Sequence, residues 1–310
     1  MNIIHAAADL KPGPGGVCVA IGVFDGVHLG HQAVIGQARE DARQHRALSV
    51  VVTFDRHPNA VVAPQNVPPL VYPLSKKLRV IASLGLDTAC VIHFDKPFSE
   101  ISGEQFIRGL ARDAGAIRSI SVGETFMFGR RRSGDVALLK ALGGELGFAL
   151  HALPDVSLSG QPVSSTRIRE AVRAGQFDLA AQMLGRPYTL CGPVIAGERL
   201  GRKLGFPTAN LDVAGILVPP AGVYAADAQV GLETRRAAVN IGHRPTLRSP
   251  EARLCVEAHL LDFAGDIYGQ EIDLTFLKKL REERKFPSAA VLQQQIEGDV
   301  AAAREASRTR

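Results

Sequence analysis

The sequence predicts two modules of different class: an α/β module built on a doubly wound parallel sheet, then a closed antiparallel β-barrel with a C-terminal helix. Three observations predict this. In the first part, short β-branched runs alternate with stretches of helical periodicity. After Leu184-Gly185-Arg186-Pro187 the helical spacing gives way to β-prone runs broken by Gly and Pro. Finally, each unusual polar segment of the first part follows a strand, the end at which such sheets bind ligands. The domains expected are 1–186 and 187–310.

The strands expected in the first domain are Val17 to Val23, Leu48 to Phe54, Thr88 to Phe94, Ile117 to Val122 and Phe148 to Leu153. Each is a short, largely apolar run of strand length. Helical patterns lie between them, at His31 to Gln44, Lys76 to Leu84, Glu104 to Asp113 and Val136 to Leu146; in the first, Val34, Ile35 and Ala38 recur on one face. In the second domain the β-prone runs are Tyr188 to Ile195, Gly222 to Val230, Ala237 to Ile241, Arg253 to Leu261 and Glu271 to Phe276. Five or six such strands pack most simply as a closed barrel, because closure removes exposed edges. A last helix, near Ala289 to Ala306, offers Val291, Leu292 and Ile296 for docking, and the linker is expected near residue 186.

Composition narrows the function. A chain of 310 residues with 46% hydrophobic content can bury a sizeable core. No apolar run approaches a membrane span, and the start lacks a basic leader, so a soluble, cytoplasmic protein is expected. Cys18, Cys90, Cys191 and Cys255 are scattered, which favours free thiols and leaves metal binding to oxygen ligands. The 36 basic residues nearly balance the 31 acidic ones, too evenly for a nucleic-acid tract. The one dense basic cluster, Arg130 to Arg132, reads as a local anion grip or a solvated loop.

Four segments carry chemistry. Ile21 to His31, I-G-V-F-D-G-V-H-L-G-H, puts His28 and His31 at a strand-to-helix junction, where free N–H groups and the helix dipole favour phosphate. Gly26 and Gly30 let backbone approach a ligand, and two imidazoles there suit stabilisation of charge during nucleotidyl transfer. In Ser164-Ser165-Thr166-Arg167-Ile168-Arg169, hydroxyls can cap a helix while arginines in its first turn, disfavoured by the dipole, suggest an anionic ligand. The third segment, Gly197 to Asn210, sets glycines and the Arg202-Lys203 pair before a P-T-A-N turn whose Thr208 and Asn210 offer neutral oxygens for a cation shared with phosphates. In the fourth, Arg253 to Leu260, alternation separates Glu257 from the apolar row of Leu254, Val256, Ala258 and Leu260; a carboxylate so placed can act as base in phosphoryl transfer.

Taken in order, F-D-G-V-H-L-G-H, V-S-S-T-R-I-R, L-G-R-P-Y, G-R-K-L-G-F-P-T-A-N, G-V-Y, N-I-G-H-R-P-T, H-L-L-D-F with I-Y-G, and L-R-E-E-R-K-F resemble the bacterial bifunctional riboflavin kinase/FMN adenylyltransferases, or FAD synthetases. The resemblance spans nearly the whole chain. It implies a Rossmann-like nucleotidyltransferase domain and a riboflavin kinase barrel, both using ATP with Mg²⁺, with riboflavin, FMN and FAD as the flavin partners. It implies no nucleic-acid or membrane partner and leaves the oligomeric state open. Carried over by position, His28, His31 and Glu257 would be catalytic. Gly22, Phe24, Asp25, Gly26, Gly30, Ser164, Ser165, Thr166 and Arg169 would hold the nucleotide in the first domain. Gly201, Arg202, Lys203, Gly205 and Pro207 would do so in the second, with Thr208 and Asn210 on Mg²⁺. Phe126, Phe128, Arg281 and Phe286 would meet flavin.

Two departures fall in the first domain. Thr125 stands where the family shows aspartate in G-x-D-F-x-F-G, and Phe54-Asp55-Arg56-His57-Pro58 replaces F-E-P-H-P. A kinase with weak or lost adenylyltransferase, and a flavin- or nucleotide-binding protein without catalysis, are the alternative readings. An aminoacyl-tRNA synthetase reading of H-x-G-H lacks a K-M-S-K-S-like partner.

Overall fold

The computed structural model describes residues 1–197, 200–246 and 249–307, with backbone alone at 200, 203, 244–246 and 249–253. The chain divides into two compact units, Met1–Ser165 and Thr166–Arg310. Residues 166–186, grouped with the first domain from sequence, thus belong to the second compact unit.

In the first unit the order is β1 (Asn2–Ile4), β2 (Val17–Ile21), α1 (Leu29–His45), β3 (Leu48–Phe54), α2 (Asn59–Val62), α3 (Leu74–Ser83) and β4 (Thr88–Ile92). There follow α4 (Lys96–Ser99), α5 (Gly103–Ala114), β5 (Ile117–Gly123), α6 (Val136–Leu146), β6 (Ala149–Leu153) and the small ribbon β7 (Ser157–Leu158) and β8 (Gln161–Pro162). The six-stranded sheet runs β1-β4-β3-β2-β5-β6, with every pairing parallel. Successive strands step outward from β2 to one side and then, with β5, to the other, so the carboxyl end of β2 is the switch point of the sheet. All of Val17–Ile21 is buried, as expected for a central strand covered on both faces. The core also takes Val50, Val52, Ile107, Ile120 and Leu139, and trimming Ile120 to alanine is worth about 2–5 kcal/mol. Strand β1, three residues long, is too short to show a period and was not expected from sequence.

The second unit begins one residue into α7 (Ser165–Arg173) and continues with α8 (Phe177–Leu184). Then come β9 (Thr189–Ile195), α9 (Leu200–Lys203), β10 (Ala209–Leu211), β11 (Gly222–Val230), β12 (Glu233–Thr246), β13 (Ser249–Leu260), β14 (Glu271–Arg281) and α10 (Ala289–Glu305). Six strands close in the order β10-β13-β12-β11-β14-β9, all antiparallel. Phe177 of α8 stacks on Phe276 at 5.3 Å between ring centres and on Tyr188 at 6.4 Å, which packs this helix with the barrel. P-T-A-N, read from sequence as a turn, enters strand β10 at Ala209, because Asn210 pairs with both Ile195 and Glu257. Along β12 and β13, Ala237, Val239, Ile241, Val256 and Ala258 are buried, whereas Asn240, Glu257 and His259 are half-buried. The barrel interior is therefore packed, and its polar row faces outward.

Candidate active sites

At the switch point, Phe24 and Val27 take positive φ values of 52° and 44°, on either side of Gly26 at 79°. A β-branched residue in that region is strained, and both side chains are held in the core at 2% and 0% exposure. The turn is clamped from three sides. The Val71 N–H donates to the buried Asp25 carboxylate at 2.9 Å, the Ser165 hydroxyl donates to the Asp25 carbonyl at 2.8 Å, and the Gln32 amide donates to the Val27 carbonyl at 2.9 Å. His28 is the N-cap of α1, its Nδ1 accepting from the His31 N–H at 3.4 Å. The two imidazoles stack with centres 3.6 Å apart, and the Phe24 ring meets His31 edge-on at 5.3 Å. A Cβ at Gly22 would come 2.9 Å from the Phe24 ring, so Phe24 can fold back over the strand end only above glycine. Such a pair at a helix start can hold phosphate and stabilise charge leaving it.

Beside this turn, the ends of β2, β3 and β4 open on a cavity of about 580 Å³. Phe54, Phe94, Phe98, Phe106, Phe126 and Phe128 line it, in edge-on and stacked contact, with Phe126 and Phe128 5.1 Å apart. Arg130, Arg131 and Arg132 form its cationic wall. An aromatic slot with a basic rim suits a planar ring bearing an anion. Thr125 lies outside this lining, exposed in a turn. That turn also directs Glu124 elsewhere: its Oε1 accepts from the Asp155 N–H at 3.4 Å.

Of the helix predicted from Ser164 onward, Ser165 reaches the Asp25 turn; Arg169 is buried and Thr166 exposed on α7.

In the second unit, register places Asn210, Glu257 and Asn240 opposite one another on β10, β13 and β12, so the three side chains share the outer face. Glu257 and Asn240 line a cavity of about 600 Å³ bounded by α10, with Arg281 and Phe286 on its wall. A second cavity, about 580 Å³, lies between Arg202, Pro207 and the loop carrying Phe263 and Tyr268. Thr208 lines both. His259 contacts the Pro207 carbonyl at 2.8 Å, and the Phe206 ring meets its imidazole edge-on at 5.5 Å, which steadies the approach to Thr208. A Cβ at Gly201 would collide with the Phe206 carbonyl and crowd Thr208, so the loop can fold back only above glycine. Gly205, at φ 88°, turns the chain toward Pro207. The side chain of Lys203 lies outside the described residues.

Arg281 does not reach into the cavity freely. Its guanidinium is forked onto Asp299 of α10, at 2.7 and 3.0 Å, and Gln295 donates to the same carboxylate at 2.9 Å. Arg284 bonds Gln295, and both arginines flank the Phe286 ring, at 5.4 and 5.0 Å. Asn240, quoted from sequence only as the first residue of N-I-G-H-R-P-T, was given no role there and Asp299 was missed, because only strand register and helix docking bring them beside Glu257 and Arg281. Phe263 and Tyr268 were overlooked as cavity walls for the same reason.

A histidine pair at the switch point of an α/β sheet, joined to a barrel with an oxygen-rich row beside two cavities, defines a two-module nucleotide-dependent transferase. Residues 11–167 match the FAD synthetase family and residues 184–307 match riboflavin kinase. Relatives named bifunctional riboflavin kinase/FMN adenylyltransferase include those of Pseudomonas fluorescens, 36% identical over 98% of this chain and 97% of theirs, and Escherichia coli K12, with the same three values. That of Bacillus subtilis is 35% identical over 96% of this chain and 95% of its own. The chain belongs to the bifunctional riboflavin kinase/FMN adenylyltransferase family and is a transferase. A crystal structure described as a macrolide-efflux protein from Streptococcus pneumoniae has the same fold, with TM-score 0.80 and 27% identity over 98% of this chain and 99% of that one. Among the described residues, no helix of the present chain is long and apolar enough to cross a membrane.

Proposed function

We propose that the chain phosphorylates riboflavin to FMN with ATP and then adenylylates FMN to FAD, releasing pyrophosphate. The observation that carries this is Thr208: one residue shared by two cavities, with Glu257 on the adjoining strand. Riboflavin fits the cavity behind α10 and ATP the cavity beside Arg202 and Tyr268, so the γ-phosphate meets the ribityl hydroxyl at Thr208. Glu257 takes the hydroxyl proton as the oxygen attacks phosphorus and ADP leaves. Thr208 and Asn210 offer neutral hard oxygens beside the Glu257 carboxylate, and these two residues would hold Mg²⁺ together with the nucleotide phosphates. Mg²⁺ bound there would neutralise charge on the transferring phosphate.

In the first module, FMN places its ring among the phenylalanines, and its phosphate oxygen attacks the α-phosphorus of ATP. His28 and His31 at the start of α1 stabilise the charge that passes to pyrophosphate. By the family resemblance Ser164 and Ser165 would serve the same nucleotide, and a functional boundary near Arg186 is part of the proposal. Gly201, Arg202, Lys203, Gly205 and Pro207 would form the phosphate loop of the kinase. Cys18, Cys90, Cys191 and Cys255 form no disulfide among the described residues, which supports a reducing, cytoplasmic setting. Chromatography of flavins after incubation with riboflavin, Mg²⁺ and ATP tests the reading. Conversion through FMN to FAD is expected; unchanged riboflavin, with no FAD formed from supplied FMN, would overturn it.

A further inference from the structure

The first unit buries a cation that none of the roles above uses. Lys77, on α3, is 7% exposed and makes three hydrogen bonds: to the Val23 carbonyl at 3.1 Å, the Thr53 hydroxyl at 3.0 Å and the Phe54 carbonyl at 2.9 Å. Thr53 Oγ1 also donates to the Val23 carbonyl, at 3.1 Å. These acceptors lie where β2 and β3 end, and Val23 is the residue before the strained Phe24 turn. A lysine is rarely buried, because desolvation of its charge is costly, and α3 could dock here with an apolar side chain. We propose that Lys77 is a positioning residue for adenylyl transfer: its ammonium group locks the end of β2 to β3 and so fixes the turn that aims His28 and His31. The inference rests on the adenylyltransferase reading.

Burial brings the Lys77 ammonium down to about 8, against the pull of Asp25 and Asp55, which raise it. The other ionisable groups around it are Arg56, His57 and Tyr72. A lysine whose folded value is depressed weakens the fold while charged. Stability from this group therefore rises as pH passes from about 8 toward the ordinary 10.5. Positioning runs the other way, because the neutral amine has two donors for three acceptors and loosens the turn. Activity falling while stability gains over one pH interval is a signature that a purely structural lysine lacks.

The test measures FAD formation from FMN and ATP between pH 7 and 10 for the wild-type chain, Lys77→Met and Thr53→Val, with riboflavin phosphorylation by the same samples as reference. Lys77→Met should lower kcat by about 10- to 100-fold with little change in the KM for ATP, and Thr53→Val by a smaller factor in the same direction. The wild type should lose turnover above about pH 8 while its resistance to urea gains a contribution missing from Lys77→Met. Should Lys77→Met fail to fold, Thr53→Val, which removes the side-chain acceptor of the same lock, still decides the matter. FAD formation within twofold of wild type by a folded Lys77→Met, or by Thr53→Val where Lys77→Met does not fold, would overturn the positioning role and leave the adenylyltransferase reading standing. A wild-type chain that makes no FAD from FMN would remove both.

Discussion

Glu257 sits between Asn210 and Asn240 on paired strands, so exchange to glutamine keeps volume and neighbours while removing the base. Glu257→Gln should lower riboflavin phosphorylation by about 10²- to 10⁴-fold and leave FAD formation from supplied FMN unchanged, as separate assays of the two steps would read. Asp55 invites a different test. Burial raises its carboxyl, but the Phe94 N–H, Arg56 and His93 outweigh this and hold it at about 2, against an ordinary 3.8. A depressed carboxylate stabilises the fold above its ordinary value and loses that contribution as pH falls toward the folded one. Acid unfolding between pH 4 and 2 should therefore be less steep in Asp55→Asn than in wild type, followed by circular dichroism. The neighbouring placement of His28 and His31 and the outward position of Glu257 were legible, because helix-start spacing and strand alternation are local. Lys77, Asn240 and Asp299 were not, since a lone lysine, asparagine or aspartate acquires meaning only from what the fold sets against it.

The first turn of α1 shows how an element carries a site. A Cβ at Gly30 would stand 3.3 Å from the His28 ring, and the group that must yield is a proposed catalytic imidazole. Gly30→Ala is expected to cut FAD formation by about tenfold while changing stability by no more than about 1 kcal/mol, because alanine is the better helix former; kinetics beside urea unfolding would separate the two. Helix α10 is tied through Asp299, only 6% exposed, to Arg281. Asp299→Asn should weaken the second unit by about 3–5 kcal/mol in denaturant and raise the KM for riboflavin, since the Phe286 wall loses its anchor. The periodic elements were legible: β3, β11 and α6 begin and end where apolar spacing placed them. Strands β1 and β10, three residues each, were not, because their pairing comes from partners far along the chain.

At the scale of the molecule, each compact unit has its own cavities and its own polar constellation. Mixing Glu257→Gln with His28→Ala should therefore restore FAD synthesis from riboflavin, FMN passing through solution from one chain to the other; flavin chromatography of the mixture against each variant alone would show it. The two-class architecture was legible because periodicity changes near Arg186. The compact boundary at Ser165 was not, since it depends on the rings Phe177, Tyr188 and Phe276 finding each other. The barrel keeps its interior for packing and sets a polar row, Asn240 on β12 with Glu257 and His259 on β13, outside on alternate residues of the same strands. Fold and substrate choice are thus written in interleaved letters of one text. An engineer seeking a kinase for another alcohol can rewrite the outward letters of β12 and β13, with the face of α10 opposite them, and leave every inward one in place.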